Sequence, residues 1–302
     1  MRDPAAWGDE GTLVSHLADE LIKGRLGLLI GAGVSAFYGL PQWTDLVDRM
    51  SARVGMAPLS ATDNPVTRVG AIKVNRFSRD EPGFLDLVQS ALYDGIDIDF
   101  EKISSNRLLS AIGSLVMSSR RGSASTVITL NFDDLLEIYL EYYGFVANSI
   151  HRDKHWAGNG DVVVYHPHGF LPLTAGRKRS RSIVLSSDEF YRMIDIGSGA
   201  NWRSLLITLL RTKSFIHIGL SGDDLNVQTL MSTIKDGHAI SEERIAYHGV
   251  MFSLKSKFNS DLVSIYRGWG VHTHLLDSWS ELPTLLFRIC QKAREKRVQL
   301  ER

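Results

Sequence analysis

Cysteine is almost absent from this chain, whose 302 residues include a single cysteine, Cys290. One cysteine cannot form an intrachain disulfide, and it cannot build a cysteine-based zinc module. The scarcity of cysteine predicts a protein of a reducing compartment. The surrounding apolar sequence, LLFRICQKA, predicts that Cys290 is buried on a helix.

The sequence also has no long apolar run and no excess of charge. No segment approaches the roughly 18 apolar residues of a spanning helix. Residues 1–12 carry early acidic residues and no apolar core of a signal peptide. The chain has 34 lysine and arginine residues and 34 aspartate and glutamate residues. With no net charge, it has no overall electrostatic attraction to nucleic acid or to a membrane surface. We expect a cytoplasmic protein that binds neither membrane nor nucleic acid directly.

Hydrophobic residues make up 44% of the chain, which is ordinary for a globular protein, and its length approaches the limit of a single core. Repeats and low-complexity linkers are missing. We therefore predict one domain, 1–302, with a mainly helical insertion at about 50–122, where short pieces broken by proline and glycine adjoin helical patterns.

Apolar strands alternate with helical patterns through most of the remaining chain. After a first strand at 26–30, strands are predicted at 126–130, 161–165, 214–220, 248–254 and 270–276. Helices are predicted at 11–24, 44–56, 84–93, 101–119, 132–143, 201–212, 224–235 and 257–267. This alternation predicts an α/β fold, a Rossmann-like parallel sheet with helices on both faces. Ligands of such sheets bind at the carboxyl ends of the strands.

The first strand runs directly into Gly31-Ala32-Gly33. Closely spaced glycines let backbone N–H groups approach a pyrophosphate, and the G-x-G-x-x-A spacing to Ala36 fits a dinucleotide fingerprint, although it is weak alone. A rigid apolar turn, residues 39–43, follows within ten residues of the glycines. That turn predicts a loop folding over the dinucleotide and argues against a hydride-transfer site.

Polar residues follow three further strands. Asn131-Phe132-Asp133-Asp134 ends the second strand and could orient a ribose or a water, or Asp133 could cap the next helix. In His166-Pro167-His168-Gly169 the proline and glycine constrain the turn, so His168 is either a general base or a structural histidine. Metal binding by His166 and His168 has little support, and no metal is predicted.

The third of these segments, residues 219–226, reads GLSGDDLN and suits ribose or phosphate recognition, with capping by Ser221 or Asp223 as the alternative. The phosphate loop G-x-x-x-x-G-K-[ST] does not occur in the chain, which argues against ATP hydrolysis of that type.

Four motifs together, GAGVSAFYGLPQW, TLNFDD, HPHG and GLSGDDLN, resemble the sirtuin family in sequence and order, over about 200 residues. The resemblance implies a Rossmann-like domain that cleaves the nicotinamide bond of NAD. It implies catalytic roles for two residues, Asn131 holding the ribose or attacking water and His168 acting as the base. It also implies NAD contacts from Gly31, Ala32, Gly33, Ser35, Leu40, Pro41, Trp43, Asp133, Gly219, Ser221 and Asp224.

Within that set, the resemblance implies that residues 31–35 line the pyrophosphate and adenosine half, and that Leu40, Pro41 and Trp43 close over the nicotinamide-ribose. Asp133 would meet the carboxamide, and residues 219–224 would hold the adenosine ribose and phosphate. Departures from the deacylases are also visible: Gln42, Trp43 and Thr44 replace the usual Asp, aromatic and Arg, Leu130 replaces the usual glutamine, and the four-cysteine zinc module is impossible.

The departures make the sequence similar to the sirtuin-like NADases of bacterial antiphage defence. The function this implies is hydrolysis of NAD⁺, the substrate, to nicotinamide and ADP-ribose. An NAD-dependent deacylase and a non-catalytic NAD or ADP-ribose sensor remain alternatives, and an ordinary dehydrogenase would need an acidic residue after a second strand. A deacylase would form acyl-ADP-ribose only with an acyl-lysine peptide.

An uncontrolled NADase would kill its host, so we expect control by homo-oligomerisation or by a partner such as a HerA-type ATPase. The insertion at 50–122 and the charged segment 291–302 are candidate contact regions. The basic loop 177–181 could meet phosphate or nucleic acid, but a solvated loop is the simpler interpretation.

Overall fold

The computed structural model of the chain describes residues 7–152, 160–174, 176–194, 202–220, 228, 231–232 and 249–300. Seven parallel strands form one sheet in the order β3-β4-β2-β1-β5-β6-β7. The strands are β1 Leu26–Ile30, β2 Thr126–Thr129, β3 Ala147–Ile150, β4 Val162–Tyr165, β5 Ser214–Ile218, β6 Gly249–Leu254 and β7 Val271–Leu276. The predicted α/β architecture with a Rossmann-like parallel sheet is confirmed.

Eleven helices are resolved among the described residues, besides short 3₁₀ turns. They are α1 Glu10–Ile22, α2 Trp43–Arg53, α3 Pro65–Phe77, α4 Glu81–Tyr93, α5 Phe100–Ser105, α6 Arg107–Val116, α7 Leu135–Tyr142, α8 Ser187–Ile194, α9 Trp202–Thr212, α10 Ser260–Gly268 and α11 Glu281–Leu300. None of these described helices is long and apolar enough to cross a membrane.

Alternating residues of the central strands pack on opposite faces of the sheet. Leu28 belongs to the core that includes α1, α6 and α11, whereas Leu29 belongs to a second core with α8, α9 and α10. All five residues of β1 are buried, as expected for a strand covered on both faces. Cys290 lies on α11 and is buried, as its apolar surroundings predict.

Every strand expected from the sequence is present, and β3 is the strand that the sequence did not reveal. Its residues, Ala-Asn-Ser-Ile, are half polar and mostly half-buried, because β3 is an edge strand paired with β4 alone. The single helix expected at 101–119 is two helices, since Asn106 is extended and its side chain accepts from Leu109 N–H to begin α6. Of the helix expected at 224–235 the structure describes only residues 228, 231 and 232, which are helical.

The chain between β1 and β2 is helical, with α2 to α6 and no strand among these described residues. Helices α3 to α6 fall within the predicted interval of 50–122. Their packing is continuous with the main core, because Val69, Phe84 and Ile112 share one apolar cluster with Leu28 of β1. Whether this stretch is an insertion into a single domain of 1–302 remains a prediction.

The chain reverses its direction of strand addition at β1, where β2 lies on one side and β5 on the other. Loops that leave such a switch point diverge and open a crevice at the carboxyl edge of the sheet. The turns after β1 and β5 touch here: Gly31 N–H donates to Ile218 O at 2.9 Å and Gly33 N–H donates to Gly219 O at 2.9 Å. Glycine is required because the two backbones cross in direct contact.

Gly219 has φ +69°, and a Cβ there would lie 2.7 Å from the nitrogen of Val34. We expect Gly219→Ala to lose about 1–2 kcal/mol from the left-handed backbone and about 1–3 kcal/mol more from the contact. Gly144 is the matched control, since its φ is +78° and nothing lies within 4 Å of its Cβ position. Urea unfolding of Gly219→Ala and Gly144→Ala measures the difference. Equal losses of unfolding free energy in the two variants would show that the contact with Val34 does not contribute.

Candidate functional site

The side chain of Asn131 joins the turn after β2 to the turn after β1. Its Nδ2 donates to the carbonyl of Gly31 at 3.2 Å and to Ser35 Oγ at 3.1 Å. Ser35 Oγ in turn donates to Asp133 Oδ2 at 2.7 Å. Because a carbonyl only accepts, these contacts fix the orientation of the amide. Its oxygen, Oδ1, receives no hydrogen bond from a described residue and remains an acceptor.

Asp133 is buried at the end of this hydrogen-bond chain. Its Oδ1 also accepts from Leu135 N–H, at 3.2 Å, at the first turn of α7. Asp133 therefore has the helix-terminal contact expected of a capping residue and the link to Ser35 as well. Burial, partly offset by these hydrogen bonds, raises the pKa of Asp133 from 3.8 to about 6.

A carboxyl with a raised pKa makes the folded protein less stable as it ionises. The folded state binds this proton more tightly than the unfolded chain, so stability falls between about pH 4 and pH 6 and then levels off. We expect Asp133→Asn to gain up to about 3 kcal/mol over the wild type at pH 7.5 and almost nothing at pH 4. Urea unfolding at both pH values measures this gain; a gain independent of pH would contradict it.

His168 lies in the turn that follows β4, beside the turn after β2. It is buried, its ring faces Phe190 edge-on at 6.1 Å, and its carbonyl accepts from Val184 N–H at 2.7 Å. Gly169 has φ +109°, and a Cβ there would lie 2.7 Å from Ile183. Proline and glycine thus constrain the turn as the sequence predicts, at the same sheet edge as Asn131.

The other histidine of this turn, His166, is fully buried between two oxygen atoms. Its Nδ1 lies 3.2 Å from the carbonyl of Asn131, and its Nε2 lies 2.7 Å from Glu137 Oε1. Both ring nitrogens of His166 are therefore engaged in contacts within the protein. The described residues contain no cluster of three or more metal-ligating side chains.

Sequence reasoning overlooked Glu137, although a signal for it exists. Glu137 lies in the first turn of α7, four residues after Asp133, which precedes the helix. The neighbouring helix residues Leu135, Leu136 and Leu140 are buried and apolar. A carboxylate on the buried face of an apolar helix needs a partner, and this requirement marks Glu137 as more than a surface residue.

The glycine loop exposes two of its residues, Ala32 and Gly33, at the carboxyl edge of the sheet. The N–H groups of Gly31 and Gly33 are used to bind the end of β5, so they do not point freely into the crevice. The N–H of Ala32 has no acceptor among the described residues and is open to a ligand. This arrangement fits a phosphate oxygen near Ala32.

The apolar turn after the glycine loop is built into the core. Leu40 and Pro41 are buried, and Trp43 begins α2 and packs against the main apolar cluster. A cover over the nicotinamide-ribose from these residues remains a prediction. Of the third predicted segment the structure describes Gly219 and Leu220, whereas Ser221 and Asp224 lie outside the described residues.

A cavity lies beneath the glycine loop, between the ends of β1 and β2 and helices α6 and α7. Apolar side chains form most of its wall, and its polar lining comes from Ser35, Tyr38, Thr129, Asn131, Asp133 and Glu137. Two residues predicted to contact NAD, Ser35 and Asp133, therefore share one cavity with Asn131, which is predicted to be catalytic. His168 is not part of its lining.

The basic loop 177–181 is partly neutralised within the chain. Arg177 pairs with Asp134 at 3.5 Å and with Glu141 of α7. Arg179 pairs with Asp86 of α4 at 2.5 Å. The interpretation as a solvated loop is therefore incomplete, because two of its arginines connect α4 and α7.

Comparison with known proteins identifies relatives. A family model described as a SIR2-like domain matches residues 125–257, a range that includes Asn131, His168 and Gly219. The chain is 23% identical over 231 residues to "NAD(+) hydrolase ThsA" of Enterococcus faecium, covering 75% of this chain and 43% of that protein. It is 21% identical over 307 aligned positions to "NAD(+) hydrolase ThsA" of Acinetobacter baumannii (strain 532279), covering 97% and 58%.

A third relative is "Defense-associated sirtuin 2" of Bacillus subtilis, 22% identical over 232 residues, covering 74% of this chain and 20% of that protein. The chain thus spans about half the length of the two hydrolases. A chain from a solved structure, "Structural Basis for the Mechanism and Regulation of Sir2 Enzymes", is 13% identical with a TM-score of 0.47, over 94% of this chain and 98% of that one.

Proposed function

We propose that this chain, a sirtuin-like protein, hydrolyses NAD⁺ to nicotinamide and ADP-ribose. The observation that carries the proposal is the hydrogen-bonded chain from Gly31 through Asn131 and Ser35 to Asp133, which joins the turns after β1 and β2 at the switch point of the sheet. The relatives named as NAD(+) hydrolases support the same reaction.

NAD⁺ would lie across the carboxyl edge of the sheet. Its pyrophosphate would meet the exposed glycine loop, where the N–H of Ala32 is open, and its nicotinamide end would lie beside Asn131 and Asp133 in the turn after β2. A protonated Asp133 can donate a hydrogen bond to a carboxamide oxygen, and an ionised one can accept from its NH₂ group. Both forms are populated near pH 6, since burial raises the pKa of Asp133 to about 6.

The reaction breaks the bond between the nicotinamide nitrogen and the anomeric carbon of ribose. The bonding electron pair goes to nicotinamide, which leaves as a neutral molecule, so protonation of the leaving group is unnecessary. The transition state is oxocarbenium-like, as in glycoside cleavage. A water oxygen bonds to the anomeric carbon while its proton passes to His168, and Asn131 Oδ1 accepts from the water or a ribose hydroxyl.

We further propose that the protein depletes NAD in antiphage defence, in line with the name of the Bacillus subtilis relative, "Defense-associated sirtuin 2". Cytoplasmic location, homo-oligomerisation and a regulatory partner such as a HerA-type ATPase belong to this proposal. The surfaces offered for such contacts are the helices of 50–122 and the charged end of α11.

The test is to incubate the purified chain with NAD⁺, alone and with the product of a neighbouring gene, and to separate the products by chromatography. We expect equal amounts of nicotinamide and ADP-ribose. Formation of acyl-ADP-ribose with an acyl-lysine peptide would favour a deacylase. NAD⁺ that binds and stays intact under every condition would favour a sensor.

A further inference from the structure

A carboxylate and an imidazole form a buried pair behind the candidate site. His166 and Glu137 are fully buried or nearly so, with 0% and 1% of their surfaces exposed. We propose that they are a positioning pair for Asn131: His166 fixes the backbone carbonyl of Asn131, and Glu137 holds the imidazole in place. This inference rests on the proposed function, because it concerns the residue that holds the nucleophile.

The contacts around the imidazole specify where its protons lie. The carbonyl of Asn131, 3.2 Å from Nδ1, can only accept, so Nδ1 carries a proton and donates it. Glu137 Oε1, 2.7 Å from Nε2, is the partner on the opposite side of the ring. A ring held at both nitrogens cannot rotate without breaking both contacts.

Glu137 is itself held in its charged form. Burial opposes ionisation, but the charge and hydrogen bond of His166 and the hydroxyl of Ser149 outweigh burial and lower the pKa of Glu137. Ser149 Oγ donates to Glu137 Oε1 at 2.9 Å from the neighbouring strand β3. The carboxylate therefore ties α7 and β3 to the turn after β4.

Asn131 is consequently held from two directions. Its amide group bonds to the turn after β1, through Gly31 and Ser35, and its carbonyl bonds to His166 in the turn after β4. A second hydrogen bond, from Leu171 N–H to Phe132 O at 2.8 Å, also joins the turn after β4 to the turn after β2, which contains Asn131. His166 acts through Asn131, because its ring is fully enclosed and both nitrogens are engaged.

Two substitutions separate positioning from simple stabilisation. In His166→Asn the side-chain Nδ2, which is attached to Cγ as the Nδ1 of histidine is, can still donate to the backbone carbonyl of Asn131. The hydrogen bond to Glu137 is lost. In His166→Gln the side-chain Nε2 lies near the position of the histidine Nε2 and can still donate to Glu137. The hydrogen bond to the backbone carbonyl of Asn131 is lost. Leaving the buried carboxylate of Glu137 without its hydrogen-bond partner His166 destabilises a fold strongly, so we expect His166→Asn to melt at the lower temperature.

The catalytic ranking should be the reverse of the stability ranking. We expect kcat of His166→Gln to fall about 10²-fold with KM for NAD⁺ within about 3-fold of the wild type, since misplacement of a positioned group acts on the chemical step. His166→Asn should stay within about 5-fold of wild-type kcat. If His166→Asn is instead the less active of the two, the pair is only structural and the inference is wrong.

Amide hydrogen exchange of a peptide covering 130–136 gives a readout that does not need activity. We expect faster exchange in His166→Gln than in His166→Asn. Equal exchange rates in the two variants would overturn the positioning role, whether or not the wild-type protein hydrolyses NAD⁺. If the exchange rates differ but the wild-type protein does not hydrolyse NAD⁺, only the proposed function is contradicted.

Discussion

Replacement of His168 by alanine is expected to slow nicotinamide release from NAD⁺ about 10²–10⁴-fold, equivalent to about 3–5 kcal/mol of barrier. His168 is proposed to take the proton of the attacking water, and neutral nicotinamide leaves without help. The loss should therefore appear in kcat, with KM changed little, because the interaction develops in the transition state. Initial rates of nicotinamide release at several NAD⁺ concentrations separate the two constants.

The fold should survive this substitution. The turn around His168 is held by backbone bonds, from Gly169 N–H to His166 O at 3.0 Å and from Val184 N–H to His168 O at 2.7 Å, and neither needs the imidazole. His274→Ala is a suitable control, since His274 lies on β7 at the far edge of the sheet. Wild-type turnover in His168→Ala would remove His168 from the mechanism and return it to the structural interpretation.

Replacement of Asn131 by alanine is expected to lower nicotinamide release about 10²-fold or more, to a level near the limit of detection. The amide oxygen that orients the nucleophile is lost, and the bonds from Nδ2 to Gly31 and Ser35 are lost with it. Loss of these two buried hydrogen bonds should reduce the free energy of unfolding by about 1–3 kcal/mol. Rate and stability are measured on the same preparation.

Asn106→Ala is the matched control for this stability loss. Asn106 is buried, and its Oδ1 accepts from Leu109 N–H at 3.0 Å to begin α6. Removing such a cap should destabilise the protein by about 1 kcal/mol and leave the rate per folded molecule unchanged. If both variants lose the same fraction of activity, the effect of Asn131→Ala reflects folding alone, and its catalytic role must be abandoned.

Residue patterns predicted the layout of the sheet well, because their signals are local. Four apolar residues before Gly31 and the β-branched run before Asn131 each gave a strand, and the polar turns followed as expected. The edge strand β3 gave no such signal, since it is half polar. The break between α5 and α6 at Asn106 was missed because an asparagine inside an apolar helical pattern is compatible with one continuous helix. Only the hydrogen bond from Leu109 N–H to Asn106 Oδ1 shows that a new helix begins there.

The candidate site was predicted only as a set of neighbours along separate strands. The sequence placed Asn131, Asp133 and His168 at carboxyl ends, and parallel strands bring those ends to one edge. It did not reveal that Ser35 links Asn131 to Asp133, or that His166 and Glu137 pair. Those contacts join residues that are between 29 and 98 positions apart in the sequence, a separation that no local pattern encodes.

The sequence by itself determined the class of fold, the strand ends that carry polar residues, the exclusion of disulfides and cysteine-zinc modules, and the resemblance to sirtuins. The tertiary structure decided which glycine amides bind β5, why Gly219 must lack a side chain, and which polar groups are buried together. The reason is physical. Strand and turn propensities act over a few residues, whereas close backbone approach and burial of charge depend on segments that meet only after the sheet has formed.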